Sequence, residues 1–279
     1  MSYKIIGDSC TDLTEKQKKD PHFQIIPLTL QVGDTQVVDD ETFDQKSFLE
    51  LVKACPESPK TACPSPEAFK KAYECSAENI FVVTLSEHLS GTYGSAVLGK
   101  QLYEEEHGTD KNIFVVGSHS ASPGQLNIAL FLQELCEAGV PFDEIVERVM
   151  DYRLKMKTYF VLESLDTLRK NGRLTGLQAF FATALNIKPV MGADEGVIIK
   201  LDQARGVNKA LNRMCDIALK EAGDTSGKRL VIAHCNNPQR AELVRRTMCE
   251  RAQFRDVVIT ETAGVATVYA NDGGIIIAL

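Results

Sequence analysis

The stretch Leu89-Ser90-Gly91-Thr92-Tyr93 joins an apolar run to a helical pattern, so its hydroxyls stand beside the backbone amides that a helix start leaves unpaired. Such a junction offers N–H and O–H donors and the positive end of a helix dipole to a phosphate or a carboxylate. Gly91 lets a ligand or a second backbone come close. Two further segments carry comparable groups. Gly7-Asp8-Ser9-Cys10-Thr11-Asp12 follows an aliphatic run and sets two carboxylates and two hydroxyls where open α/β sheets hold ligands. A local role is the alternative there, with Ser9, Thr11 or Asp12 capping a helix that starts near Leu13. Thr61-Ala62-Cys63-Pro64-Ser65-Pro66 reads as a proline-stiffened loop before a helix capped by Ser65.

These residues admit two kinds of protein. One is a carrier that clamps a small anionic group. The other is a hydrolase or phosphosugar-type enzyme working through Asp8, Ser9 and Ser90. The second needs a base, yet no GxSxG spacing surrounds Ser90, and of five histidines only His88, His119 and His234 fall at strand ends. No HExxH, paired CxxC or calcium loop is present, so no metal is expected. No GxGxxG or P-loop occurs either, so no cofactor is expected. A net charge of −7 opposes a nucleic-acid partner.

The elements that must position these groups follow from periodicity. Tyr3–Gly7, Ile80–Thr84, Ile113–Gly117 and Leu230–Ala233 read as buried parallel strands. Helical spacing marks Asp44–Cys55, Ser65–Cys75, Ser90–Glu106, Pro123–Ala138 and Pro141–Lys157. Phe23–Val32 and Gln36–Asp39 flank Gly33-Asp34 as an antiparallel hairpin. After about Lys157 the texture changes. Strands are expected at Tyr159–Leu162, Pro189–Met191, Val197–Leu201 and Val257–Glu261, helices at Leu165–Lys170, Gly176–Leu185, Val207–Ala222 and Pro238–Arg251, and a final apolar run at Gly273–Leu279. The expected fold is α/β, with a mainly parallel sheet domain over 1–157, carrying the hairpin near 23–39, and a mixed-sheet α/β domain over 158–279. A ligand belongs in the cleft between them.

A chain of 279 residues is long for one core, which favours two domains. No apolar run reaches the roughly 20 residues of a membrane span, and Met1–Gly7 lacks the pattern of a secretion signal. The eight cysteines are scattered, as expected for reduced thiols in a cytoplasm.

Six segments in order resemble the DegV family: Asp8–Asp12, Thr61–Pro66, Leu89–Tyr93 with Ser95-Ala96, Asn171-Gly172-Arg173-Leu174-Thr175, Ile187-Lys188-Pro189 and Ala204-Arg205-Gly206. The resemblance spans nearly the whole chain. It implies a non-catalytic, two-domain α/β protein that binds a long-chain fatty acid between its domains and presents the carboxylate to an ATP-binding fatty acid kinase subunit. On that basis Thr61, Ser90, Gly91 and Thr92 would hold the carboxylate, and Arg173 and Arg205 would face the partner. Leu177, Phe180, Phe181 and Leu185 would line the tail tunnel, or else belong to an ordinary core. The chain by itself is expected to be a monomer.

Two departures from the family pattern stand out. Gly117-Ser118-His119 replaces an Asp-Ser strand end. Ala270-Asn271-Asp272-Gly273-Gly274 replaces a segment in which many members carry a carboxylate-binding histidine. Asn271 or Tyr269 would have to donate in its place.

Overall fold

The computed structural model describes residues 2–174 and 186–279. Four strands, β1 (Tyr3–Asp8), β2 (Phe23–Ile26), β6 (Asn79–Thr84) and β7 (Asn112–Gly117), form a wholly parallel sheet in the order β2-β1-β6-β7. A small antiparallel sheet holds β3 (Thr29–Val32) between β4 (Thr35–Val38) and β5 (Lys60–Ala62). The third sheet is mixed and runs β10-β9-β8-β13-β11-β12. Its strands are β8 (Thr158–Val161), β9 (Ile187–Asp194), β10 (Val197–Arg205), β11 (Arg229–His234), β12 (Asp256–Glu261) and β13 (Ile275–Ala278).

Helices α1 (Glu15–Lys18), α2 (Gln45–Ala54), α3 (Pro66–Tyr73), α4 (Thr92–His107), α5 (Pro123–Glu137) and α6 (Phe142–Lys155) accompany the first two sheets. The mixed sheet carries α7 (Asp166–Lys170), α8 (Val207–Ala222) and α9 (Pro238–Cys249), while α10 (Gly264–Ala270) packs its Val265, Ala266 and Val268 against Leu28, against Leu30 and Val32 of the small sheet, and against Phe48 of α2. The α/β class and the pairing of a parallel with a mixed sheet match the expectation.

Helix α5 holds the two larger sheets together. It is buried along nearly its whole length, with Leu126, Ile128, Leu132 and Leu135 in the core and the buried side-chain amides of Gln125, Asn127 and Gln133 each donating a hydrogen bond. Those residues share one core with Ile5, Phe81 and Val83 of the parallel sheet and with Val231 and Ala278 of the mixed sheet. The far face of the mixed sheet packs Tyr159, Val161 and Ile232 against Leu211 and Met214 of α8 and Val244 of α9.

The run expected as one strand over Phe23–Val32 is broken. Pro27 has no N–H to give a ladder, and Leu28 donates instead to the Ser9 hydroxyl at 3.1 Å while its carbonyl accepts from Asp39 N–H at 3.0 Å. The chain thus leaves the parallel sheet after Ile26 and begins the small one at Thr29. The hairpin itself lies at Thr29–Val38 around Gly33, whose φ of +54° suits a glycine. Thr61 is also not in a loop: it pairs with Leu30 on β5. Helix α10 has no counterpart in the expectation, and the helix expected at Gly176–Leu185 lies outside the described residues.

Helices α3 and α4 touch at Gly99, where a Cβ would sit 2.6 Å from the Pro66 carbonyl and 2.7 Å from Phe69 Cβ. Gly99→Ala gains about 1 kcal/mol of helix propensity, but forcing two backbones apart costs about 1–3 kcal/mol. A net loss of about 1 kcal/mol is expected, read as a lower denaturation midpoint.

Candidate functional site

The carboxyl ends of the parallel strands meet the mixed sheet across a cavity lined almost wholly by apolar atoms, as small-molecule sites are. Leu85, His119, Ala121 and Ser122 come from loops after β6 and β7. Thr158, Phe160 and Leu162 come from β8 and its continuation, Ile276 from β13, and Ala193, Gly196 and Ile198 from the β9–β10 hairpin. Val265, Ala266, Tyr269 and Ala270 of α10 close a further side. Strand alternation explains the β8 contribution, because Tyr159 and Val161 point into the opposite core.

One part of this apolar wall is polar. Thr61 Oγ1 and the Tyr269 hydroxyl lie 3.0 Å apart, and Arg173 lines the same cavity with its Nε donating to the Leu89 carbonyl at 3.2 Å. The Asn171 amide donates to the Pro59 carbonyl at 2.8 Å, fastening the turn that carries Arg173 to the start of β5. A guanidinium and two hydroxyls at a cavity wall are donors suited to a carboxylate.

The hairpin is fastened across the gap. Ser86 Oγ donates to the Gly196 carbonyl at 3.0 Å. Gly196 has φ +85°, and a Cβ there would lie 2.5 Å from Ser86 Oγ and 3.1 Å from His119 Cα. His119 Nε2 sits 3.1 Å from a Glu87 carboxylate oxygen, and its ring centroid is 6.3 Å from that of His88.

The acidic strand end serves as a buried bracket. Asp8 accepts from the N–H groups of Cys10 (3.0 Å) and Leu85 (2.6 Å) and from Gln125 Nε2 (2.9 Å). Asp12 accepts from Ala263 N–H at 2.7 Å and from the Ser122 hydroxyl. Asp39 takes the N–H groups of Gly264 (2.6 Å) and Val265 (2.8 Å), capping α10. Burial pushes the Asp8 carboxyl up to about 6, against hydrogen bonds that pull it down. It raises Asp12 well above the usual range and Asp39 as well. Cys10, on the cavity wall, has its thiol raised by burial and is therefore held protonated.

Of the residues singled out in the sequence, Thr61 lines the cavity, and Arg173, expected to face a partner, lines it as well. The Leu89–Tyr93 segment reaches it through Leu89. Ser90 Oγ pairs with Thr92 Oγ1 at 2.8 Å, and a Cβ on Gly91 would lie 3.3 Å from Cys63 Sγ in the loop after β5, so none of the three is on the cavity lining. Asn271 is drawn away from the cavity, its amide donating to the carbonyls of Ser164 (3.3 Å) and Tyr269 (3.0 Å). Arg205 is exposed at the end of β10. Lys188 joins Arg240 on Glu163, each at 2.6 Å. Leu177, Phe180, Phe181 and Leu185 lie outside the described residues.

Asp8, Ser9 and Ser90 are not assembled as a nucleophile with a base. Ser9 supports Leu28, Asp8 holds backbone amides, and Ser90 bonds Thr92, with no histidine on it among the described residues. No group of three or more metal-binding side chains occurs among the described residues, and none of their helices is long and apolar enough to cross a membrane. Tyr269 enters from the sequence as a stand-in donor, whereas Phe160 and Leu168 are wall residues to which sequence reasoning gave no role. The spacing of Val265, Val268 and Tyr269 is the signal that marks α10.

Fold and site define an α/β protein in which a parallel and a mixed sheet enclose an apolar chamber with a small polar section. The chain belongs to the DegV family: the model of that family, described as an uncharacterised protein family, matches residues 2–279. It is 37% identical over 280 residues to a DegV domain-containing protein of Streptococcus pneumoniae R6, covering 99% of this chain and 98% of that one.

Among solved structures, a DegV family protein of Ruminococcus gnavus with vaccenic acid is 49% identical with a TM-score of 0.97, each chain covered fully. The fatty acid kinase B3 protein of Streptococcus pneumoniae, loaded with linoleic acid, is 36% identical with a TM-score of 0.89, over 100% of this chain and 99% of that one. A DegV family protein of Eubacterium eligens loaded with heptadecanoic acid is 29% identical with a TM-score of 0.90, each chain covered to 99%. The fold is thus the two-domain α/β fold of this family, and these three relatives hold fatty acids as ligands.

Proposed function

We propose that this protein binds a long-chain fatty acid in the cavity between a domain over 1–157 and a domain over 158–279, and presents its carboxylate to a fatty acid kinase subunit. The observation that carries the reading is the chamber itself, walled by aliphatic and aromatic side chains and polar where Thr61, Tyr269 and Arg173 meet. Buried methylenes contribute about 0.8 kcal/mol each, so the tail dominates affinity. Each bond from a hydroxyl or guanidinium to the carboxylate adds about 1.5–3 kcal/mol and fixes orientation.

In this reading Tyr269 takes the place of the family's histidine. Ser90, Gly91 and Thr92 support the carboxylate end from behind Leu89, and Arg205 contributes to a docking face for the kinase subunit. The protein itself is non-catalytic.

The direct test is organic extraction of the purified protein followed by mass spectrometry, with uptake of labelled fatty acid as a second measurement. Stoichiometric fatty acid is expected, and recovery of none with no uptake would sink the proposal. Arg173→Ala is expected to weaken binding about 10- to 100-fold and Tyr269→Phe about tenfold, with each variant's denaturation curve checked for intact folding.

A further inference from the structure

The chamber holds a second polar feature that the carboxylate does not use. Ser120 and Thr158 both line it, are only 3% and 6% exposed, and have their hydroxyl oxygens 2.6 Å apart. The neighbouring polar groups are engaged elsewhere, Ser122 with Asp12 and His119 with Glu87. Two hydroxyls bring two protons and four lone pairs. When Ser120 donates to the Ala121 carbonyl, at 3.4 Å, and Thr158 donates to Ser120, both protons are used and most of the lone pairs stay open.

Strand β8 places the pair along the chamber. Thr158, Phe160 and Leu162 alternate onto the chamber side, so Thr158 stands about 13 Å from Leu162 along the chain. Leu162 clusters with Leu89, Leu168 and Tyr269, beside Arg173. An extended ligand whose carboxylate lies there meets the hydroxyl pair well along its chain.

We propose that Ser120 and Thr158 form a contact point for an oxygen carried partway along an acyl chain, so that the chamber accepts long-chain fatty acids bearing a mid-chain hydroxyl as well as plain ones. The inference rests on the fatty-acid reading of the cavity. Bonded to each other, the two residues leave no buried donor unpaired when a plain chain passes. A chain hydroxyl donates to one of their open lone pairs and so escapes the cost of entering an apolar chamber without a partner.

The test compares stearic acid with octadecanoic acids carrying one hydroxyl at successive mid-chain positions, by titration calorimetry on the wild type, Thr158→Val and Ser120→Ala. At least one isomer is expected to bind the wild type within about threefold of stearic acid. Thr158→Val should weaken that isomer about fivefold relative to stearic acid, with Ser120→Ala acting in the same direction. If every hydroxylated isomer binds the wild type more than about tenfold more weakly than stearic acid, the contact point is refuted while the fatty-acid site stands. The same holds if neither variant changes the ratio. Absence of stearic acid binding in the wild type overturns both.

Discussion

Asp39→Ala is expected to lower the unfolding free energy by about 3 kcal/mol, measured as a shift of the denaturant midpoint. The carboxylate reaches from the loop after β4 to the N–H groups of Gly264 and Val265, and removing it leaves two buried donors unpaired at about 1–3 kcal/mol each. Relief of the carboxylate's own burial, which raises its pKa, offsets a fraction of that. Because α10 supplies Val265, Ala266, Tyr269 and Ala270 to the chamber wall, fatty-acid affinity should fall with stability. Asp39→Asn keeps one acceptor and should lose about half as much. A change below about 0.5 kcal/mol for Asp39→Ala would show that α10 does not depend on this cap.

The second large effect is a gain of stability on mild acidification. Asp8, Asp12 and Asp39 all bind protons more readily when folded than when unfolded, since burial raises each of them. A carboxyl whose folded pKa is raised stabilises the native state below its unfolded pKa, and that stability is lost as pH climbs through the folded value. For Asp8 the window runs from 3.8 to about 6. Going from about pH 7.5 to about pH 5.5 should recover about 1 kcal/mol from Asp8 alone, with Asp12 and Asp39 adding in the same direction.

His234 works the other way, because burial lowers its pKa and its contribution is lost as pH falls. Three carboxyls outweigh one imidazole. Denaturant midpoints at the two pH values read the sum, and Asp8→Asn should flatten the profile. A midpoint that falls on acidification would show that these carboxyls are ionised without penalty.

Legibility of the fold in the sequence followed the length of each element. The long helices α5 and α8 and the strands β1, β6 and β7 of the parallel sheet announced themselves by periodicity, and their limits differ from expectation by at most a residue. The broken run at Pro27 was readable in principle, because a proline cannot serve a central strand. The run of β-branched residues on either side concealed it.

Helix α10 was hidden for a different reason. Seven residues opening on a glycine have little helix propensity of their own, and the acceptors that hold α10, Asp12 and Asp39, lie more than two hundred residues earlier in the chain. For the site, Thr61 entered through resemblance rather than spacing, and Arg173, which the resemblance turned toward a partner, lines the cavity instead. The roles of Asn271 and Ser90 depend on which way a side chain turns, which no single-sequence pattern records.

Strand β13 comes later in the chain than any other described strand, yet it lies between β8 and β11 in the middle of the mixed sheet. While a nascent chain is still emerging from the ribosome, that sheet exists only as two separate pieces. The wall residue Ile276 and the Ile275 and Ile277 that anchor it have yet to be made. Long-range pairing of this kind closes late and slowly. The chamber is therefore acquired only once β13 has been made, and a chain cut short before residue 275 has that sheet in two pieces with exposed edges, a substrate for proteases rather than a partly loaded carrier.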